Sequence, residues 1–173
     1  MKDMKNKTVK RIKVKIIVIL AFIGFFQKVG LSKDSEQYIP KTCMEVHTQK
    51  DQNDFYDAVS LYNQLNAFRS SQGLTALTWD PKLSCGACIR AKECSTLLSH
   101  TRPDGSAWWT VNPDCAYGEN LAAYYPTVES AMQEWVRSPS HLDMMLSPKF
   151  MRIGIGIYTD TSGKKFYCQH FGF

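Results

Sequence analysis

The stretch Ile153-Gly154-Ile155-Gly156-Ile157 constrains the fold more than any other part of this chain. Three β-branched residues alternate with two glycines, so an extended strand carries branched side chains on one face and none on the other. A bare face lets a helix or another backbone come close, so the spacing predicts a strand that is tightly covered on that side. Asp160-Thr161-Ser162-Gly163 supplies turn residues, and Phe166 to Phe171 returns as the hairpin partner.

Upstream the period changes to that of helices. Phe55, Val59, Tyr62, Leu65 and Phe68 recur every three or four residues, which predicts a helix over about 54–71 that is stopped by Gly73. Asp80-Pro81 reads as an N-cap followed by proline at the first helical position. The helix it opens carries Leu83, Ala87, Ala91, Cys94 and Leu98 on one side and is expected to end near Ser99-His100. A third helix starts after Thr127, with Glu129 in its first turn and Val128, Met132, Trp135 and Val136 on its apolar side. Ser138-Pro139 ends it, because the residue before proline is driven out of the helical region. A short fourth helix is expected over about 140–146. Helices first and an antiparallel hairpin last predict an α+β fold.

The net charge of +5 over 173 residues looks like a nucleic-acid signature until it is located. Residues 1–33 hold nine Lys or Arg against one acid, and the other 140 residues hold 12 basic and 15 acidic side chains. A slightly acidic body has no electrostatic footprint for phosphate backbones. The basic segment Lys2 to Lys15 precedes the eleven apolar residues Ile16 to Phe26. That is the layout of a secretory signal peptide, cleaved or kept as an N-terminal anchor, and in the second case it is the chain's only route to a membrane. Residues 34–53 are polar and read as a linker to a domain over 54–173, with Cys43 a candidate to pin the linker down.

Export gives the six cysteines a context: Cys43, Cys85, Cys88, Cys94, Cys115 and Cys168 are even in number and read as disulfides. Sequence alone leaves fifteen connectivities open. Cys94 near a helix end is expected to bridge outward to a loop, with Cys115 as a candidate. A redox or zinc role for Cys85-Gly-Ala-Cys88 is disfavoured, since the pair sits inside a helix with no second pair in reach.

Three histidines fall in the body: His100 closing the second helix, His141 opening the fourth, and His170 in the last strand, where it is assigned no role. Two acids accompany them. Glu119 stands in Gly118-Glu119-Asn120-Leu121-Ala122, which reads as a turn-like bend, and Glu134 directly precedes Trp135. Glu134 and His141 are seven apart, about 10 Å along an unbroken helix, and the break at Pro139 brings them closer.

These residues carry a family resemblance. The run Gly73-Leu74 to Leu77-Thr78-Trp79-Asp80 is followed by Ser99-His100-Thr101-Arg102-Pro103-Asp104-Gly105 and Gly118-Glu119-Asn120-Leu121-Ala122. Then come Trp135 to Ser138-Pro139-Ser140-His141, Met145-Leu146, and the ending Ile153-Gly154-Ile155-Gly156 with Gln169 to Phe171-Gly172. In this order the motifs resemble the CAP superfamily (cysteine-rich secretory proteins, antigen 5, pathogenesis-related 1; the SCP-like domain) over residues 54–173. The His-Thr-Arg-Pro-Asp-Gly stretch looks closest to bacterial secreted members. The resemblance implies a three-layer α-β-α sandwich with a central antiparallel sheet. It also implies a cleft lined by two His and two Glu, here His100, Glu119, Glu134 and His141.

Two neutral imidazoles and two carboxylates make a negatively charged hollow that needs a divalent cation, water or raised carboxyl pKa values. Zinc suits imidazole nitrogen, so His100 and His141 are expected as metal ligands for Zn2+ or another divalent cation, with the glutamates orienting them or holding water. The reading this supports is an extracellular binding module, not an enzyme, whose ligand is a lipid, peptide, glycan or protein. The alternative is a metal-assisted hydrolase with Glu119 or Glu134 as general base. No His-Glu-x-x-His helix and no Gly-x-Ser-x-Gly elbow supports a standard protease mechanism. A cysteine nucleophile paired with His100 or His141 requires a free thiol in an oxidising compartment.

Overall fold

The computed structural model describes residues 48–173. The basic and apolar segment, most of the expected linker, Cys43 and His47 lie outside them. The first helix, α1 (Gln49–Ser71), starts five residues before the expected Asp54. Thr48 and Asp51 close a reciprocal capping box, which satisfies two backbone N–H groups and lets the polar stretch enter the helix. Phe55, Ala58, Leu61, Tyr62, Leu65 and Phe68 form its buried stripe. Each large apolar side chain in it contributes about 1.5–3 kcal/mol relative to exposure.

Strand β1 (Thr78–Trp79) leads to α2 (Pro81–Cys94), where the Asp80 side chain accepts from the N–H groups of Lys82 and Leu83. Helix α2 ends earlier than the sequence predicts. The N–H groups of Ser95, Thr96 and Leu97 turn back onto Lys92 and Glu93, and the Ser95 hydroxyl donates to Lys92 O. Leu98 is therefore not on the buried stripe but exposed. Strand β2 (Gly118–Ala123) follows, then α3 (Val128–Arg137), capped by Thr127 as expected, and α4 (Pro139–Met145). The chain ends in the hairpin β3 (Arg152–Thr159) and β4 (Lys165–Gly172).

The sheet order is β1-β3-β4-β2. Its three long strands are antiparallel, and only the two-residue β1 runs parallel, beside β3. Helix α2 covers one face, while α1, α3 and α4 lie on the other, giving the expected three layers. The bare face of β3 is what admits α2. A Cβ added at Gly154 would lie 2.1 Å from the Leu83 carbonyl carbon, and one at Gly156 would lie 2.1 Å from that of Ala87. The isoleucines alternate to the opposite face, where Ile153, Ile155 and Ile157 are buried.

Cys88, Cys94, Cys115 and Cys168 are free thiols, so the expected bridge from Cys94 to Cys115 is not formed. The two sit in different parts of the core. Cys94 packs with Ala87, Leu121 and Cys168, whereas Cys115 packs with Leu83 and Ala116.

A histidine and glutamate site at the edge of β2

Glu119 is not in a bend. It lies in β2, all six residues of which are buried, and it pairs directly with His170 across β4. Polar residues at two adjacent positions disguised the strand, because both faces of this sheet are covered and both accept hydrogen-bonded polar groups. Residues paired across an antiparallel ladder share a face, so Glu119, His170, Leu121 and Cys168 all point toward α2.

On that face Arg90 of α2 meets Glu119, with Nε donating to Oε2 at 2.8 Å and Nη2 to Oε1 at 3.3 Å. Arg90 also donates to Glu93 Oε2 at 2.6 Å and to Ser99 O at 2.5 Å. Glu93 in turn accepts from Arg102 Nη2 at 2.6 Å. The resulting row of alternating charges pins the loop that carries His100, whose carbonyl also accepts from Trp108 N–H. His100 Nδ1 lies 2.8 Å from Glu119 Oε1, and His170 Nε2 lies 3.1 Å from Oε2. An ionised carboxylate only accepts, so both ring nitrogens carry the proton. With Nδ1–H so engaged, a neutral His100 ring carries its lone pair on Nε2, on a side chain that is 56 % exposed.

Burial raises the Glu119 carboxyl, but the hydrogen bonds from His100, His170 and Arg90 outweigh it, and the carboxyl sits well below the usual carboxylate range. Two expectations change here. Arg90 cancels one of the two negative charges assigned to the hollow, and His170 is not a bystander but a donor to Glu119.

His141 and Glu134 come from the other side of the sheet. Asn120, which alternates with Glu119, donates to His141 O at 3.2 Å and to Gln169 Oε1 at 3.1 Å. Trp135 Nε1 donates to Leu121 O at 3.0 Å, which ties α3 to β2. His141 Nδ1 is buried without a hydrogen-bond partner among the described residues. Burial lowers the His141 pKa, the nearby His100 imidazole lowers it further, and Glu134 partly opposes both. Glu134 also lies near the Tyr125 hydroxyl and, after burial, helps to raise its pKa. His100 is hydrogen-bonded to Glu119, while His141 lies within electrostatic reach of both His100 and Glu134.

One further group of potential ligands occurs among the described residues. Glu119, Cys168 and His170 are all buried, with ligand atoms within 4.8 Å of one another. Arg90 already occupies both Glu119 oxygens there, and burial holds the Cys168 thiol protonated. A cation at that point would face a guanidinium.

Sequence reasoning missed Arg90, Glu93, Tyr125 and the role of His170. A signal for Arg90 was present: it lies three residues after Ala87 and four before Cys94, on the apolar stripe of α2. A cation on such a stripe needs a buried partner.

Layering, strand order and this His/Glu edge define an SCP-type α-β-α sandwich. The chain belongs to the cysteine-rich secretory protein family, CAP, whose family model matches residues 62–171. Among curated proteins none matches the sequence. Among solved structures, the chain is similar to an extracellular protein containing an SCP domain from Bacillus anthracis, at 26 % identity and TM-score 0.64, covering 71 % of this chain and 42 % of that one. It is also similar to an outer surface protein of Borrelia burgdorferi, at 21 % identity and TM-score 0.61, covering 68 % and 92 %. A cysteine-rich secretory protein from Staphylococcus aureus matches at 20 % identity and TM-score 0.57, covering 70 % and 40 %. The chain therefore spans less than half of the Bacillus and Staphylococcus proteins.

Proposed function

We propose that this chain is an exported CAP-domain binding module that holds a divalent cation between His100 and His141 and uses the open coordination positions to engage an extracellular ligand. The observation that carries this reading is the contact of His100 with Glu119: the carboxylate accepts from Nδ1–H at 2.8 Å, so the neutral ring presents the lone pair of Nε2 on an exposed side chain. A carboxylate behind a histidine is the arrangement that orients imidazoles toward metals. His141 fits beside it. Burial favours its neutral, ligating form, and its Nδ1 lacks a partner among the described residues. Two imidazoles leave positions free, which favours exchangeable binding over a structural site.

Export is supported by the basic and apolar N-terminal segment and by the Bacillus and Borrelia proteins, whose names place them outside the cell or on its surface. No helix among the described residues is long and apolar enough to cross a membrane. Binding is favoured over hydrolysis because Glu119 is saturated by three donors and held ionised, which makes it a weak general base.

The test is zinc titration by calorimetry together with metal analysis, comparing the wild type with the His100→Ala/His141→Ala double variant. The reading requires that uptake be lost in the variant while its fold persists. Equal uptake in both would remove the assignment.

A further inference from the structure

A cavity of about 640 Å3 lies where α1 ends and β1 and β3 begin. None of His100, Glu119, Glu134 or His141 lines it. Its walls include Leu74, Phe150, Met151 and Phe173, and its lining contains two arginines and no acid. One of these, Arg152, is already engaged, with Nη1 on Asp80 at 2.5 Å and Nε donating to Phe173 O at 2.7 Å.

The other, Arg69, is 1 % exposed and has no carboxylate partner among the described residues. Its Nε donates to Thr75 O at 3.0 Å, and its Nη1 donates to Met145 O at 2.7 Å and Ser147 O at 3.0 Å. These are neutral carbonyls, and Nη2 is left without a hydrogen bond among the described residues. A guanidinium stays charged in any protein, and a buried charge without a counter-ion is costly. The cavity that Arg69 lines can supply that counter-ion.

The apolar wall narrows the choice. Phe150 stacks on Phe171 at 5.2 Å and on Phe173 at 5.6 Å, with interplanar angles of 29° and 23°. Phe173 and Met151 remain 53 % and 64 % exposed. Phe173 also packs on Tyr117 at 4.4 Å, which closes the stack, so a flat ring can lie against its exposed edge and Met151 while an attached anion faces Arg69. The volume falls in the range of small-molecule sites, roughly 300–1,000 Å3.

We propose that this cavity is a binding site for a small aromatic carboxylate, with the anion against Arg69 and the ring against Phe150, Met151 and Phe173. The site is independent of the histidine cleft.

The probe is 2-naphthoate, titrated calorimetrically into the folded chain, with 2-naphthylmethanol as the uncharged counterpart and decanoate as the alkyl carboxylate. Ala76 lines the cavity and is exposed, so it can be changed without disturbing the core. Ala76→Glu offers Arg69 an internal carboxylate and Ala76→Gln does not. The proposal expects 2-naphthoate to bind at least about tenfold more tightly than either comparison compound. Ala76→Glu should weaken it by about tenfold or more and Ala76→Gln by far less. The His100→Ala/His141→Ala variant should bind it unchanged. Absence of naphthoate binding, equal binding of the alcohol or of decanoate, or indifference to Ala76→Glu would each overturn the proposal.

Discussion

Arg90 and Glu119 face each other across the α2–sheet interface, Nε to Oε2 at 2.8 Å, with side chains 0 % and 1 % exposed. Neither charge has water to fall back on, so each depends on the other. Replacing Arg90 by Met leaves Glu119 with its imidazole donors but no counter-charge. The expected cost is about 3–5 kcal/mol, the range for breaking a buried pair. Urea unfolding checks it. The Arg90→Met/Glu119→Gln double variant should recover part of the loss, since it removes the stranded charge.

Acid sensitivity follows from the same pair. The folded Glu119 carboxyl lies below its ordinary value. Its stabilisation is therefore complete above the unfolded pKa of about 4.3 and is lost as pH falls through the lower folded value. For His141 the folded pKa also lies below the ordinary value, so the unfolded chain binds that proton more readily. Stability should start to fall as pH drops below about 6.5. Unfolding curves of chelator-treated protein should show both declines, the upper one missing in His141→Gln and the lower one reduced in Glu119→Gln.

The contact between α2 and β3 predicts a contrast between glycines. At Gly154 a Cβ would meet the Leu83 backbone at 2.1 Å, which no side-chain rotation can relieve. Gly154→Ala should cost about 3 kcal/mol or prevent folding, as overpacking against a fixed backbone does. Gly73 has φ +72° and open space around its Cβ position, so Gly73→Ala should cost only about 1–2 kcal/mol, the penalty of the left-handed conformation. Similar losses for both variants would contradict the close approach.

Thiol chemistry offers a fourth measurement. Burial pushes the Cys94 thiol up to about 11 and the Cys168 thiol well above its ordinary value. In the folded chain at pH 8 neither should be alkylated faster than the protein opens. Mass spectrometry after timed alkylation, with and without denaturant, should find both labelled only on unfolding.

The two ends of the chain's logic differ in legibility. The hairpin, the caps at Asp80 and Thr127, and the break at Pro139 were readable because each depends on residues within a turn or two of one another. Strand β2 was not, since its polar residues are satisfied by partners 19 to 51 positions away. The end of α2 was misplaced because the apolar stripe continues to Leu98 while Ser95 turns the backbone away.

By itself the sequence determined the helices, the closing hairpin and their α+β order, through the period of its apolar residues and the bare face of β3, while its resemblance to the CAP superfamily implied the three layers and pointed to His100, Glu119, Glu134 and His141. The tertiary structure alone decided how they are wired. It set Arg90, His100 and His170 on Glu119, tied the His141 carbonyl to the neighbouring Asn120, and left Arg69 without an acid among the described residues. Periodicity is a local property that any one element expresses alone, whereas the pairing of a buried charge exists only once distant elements have packed.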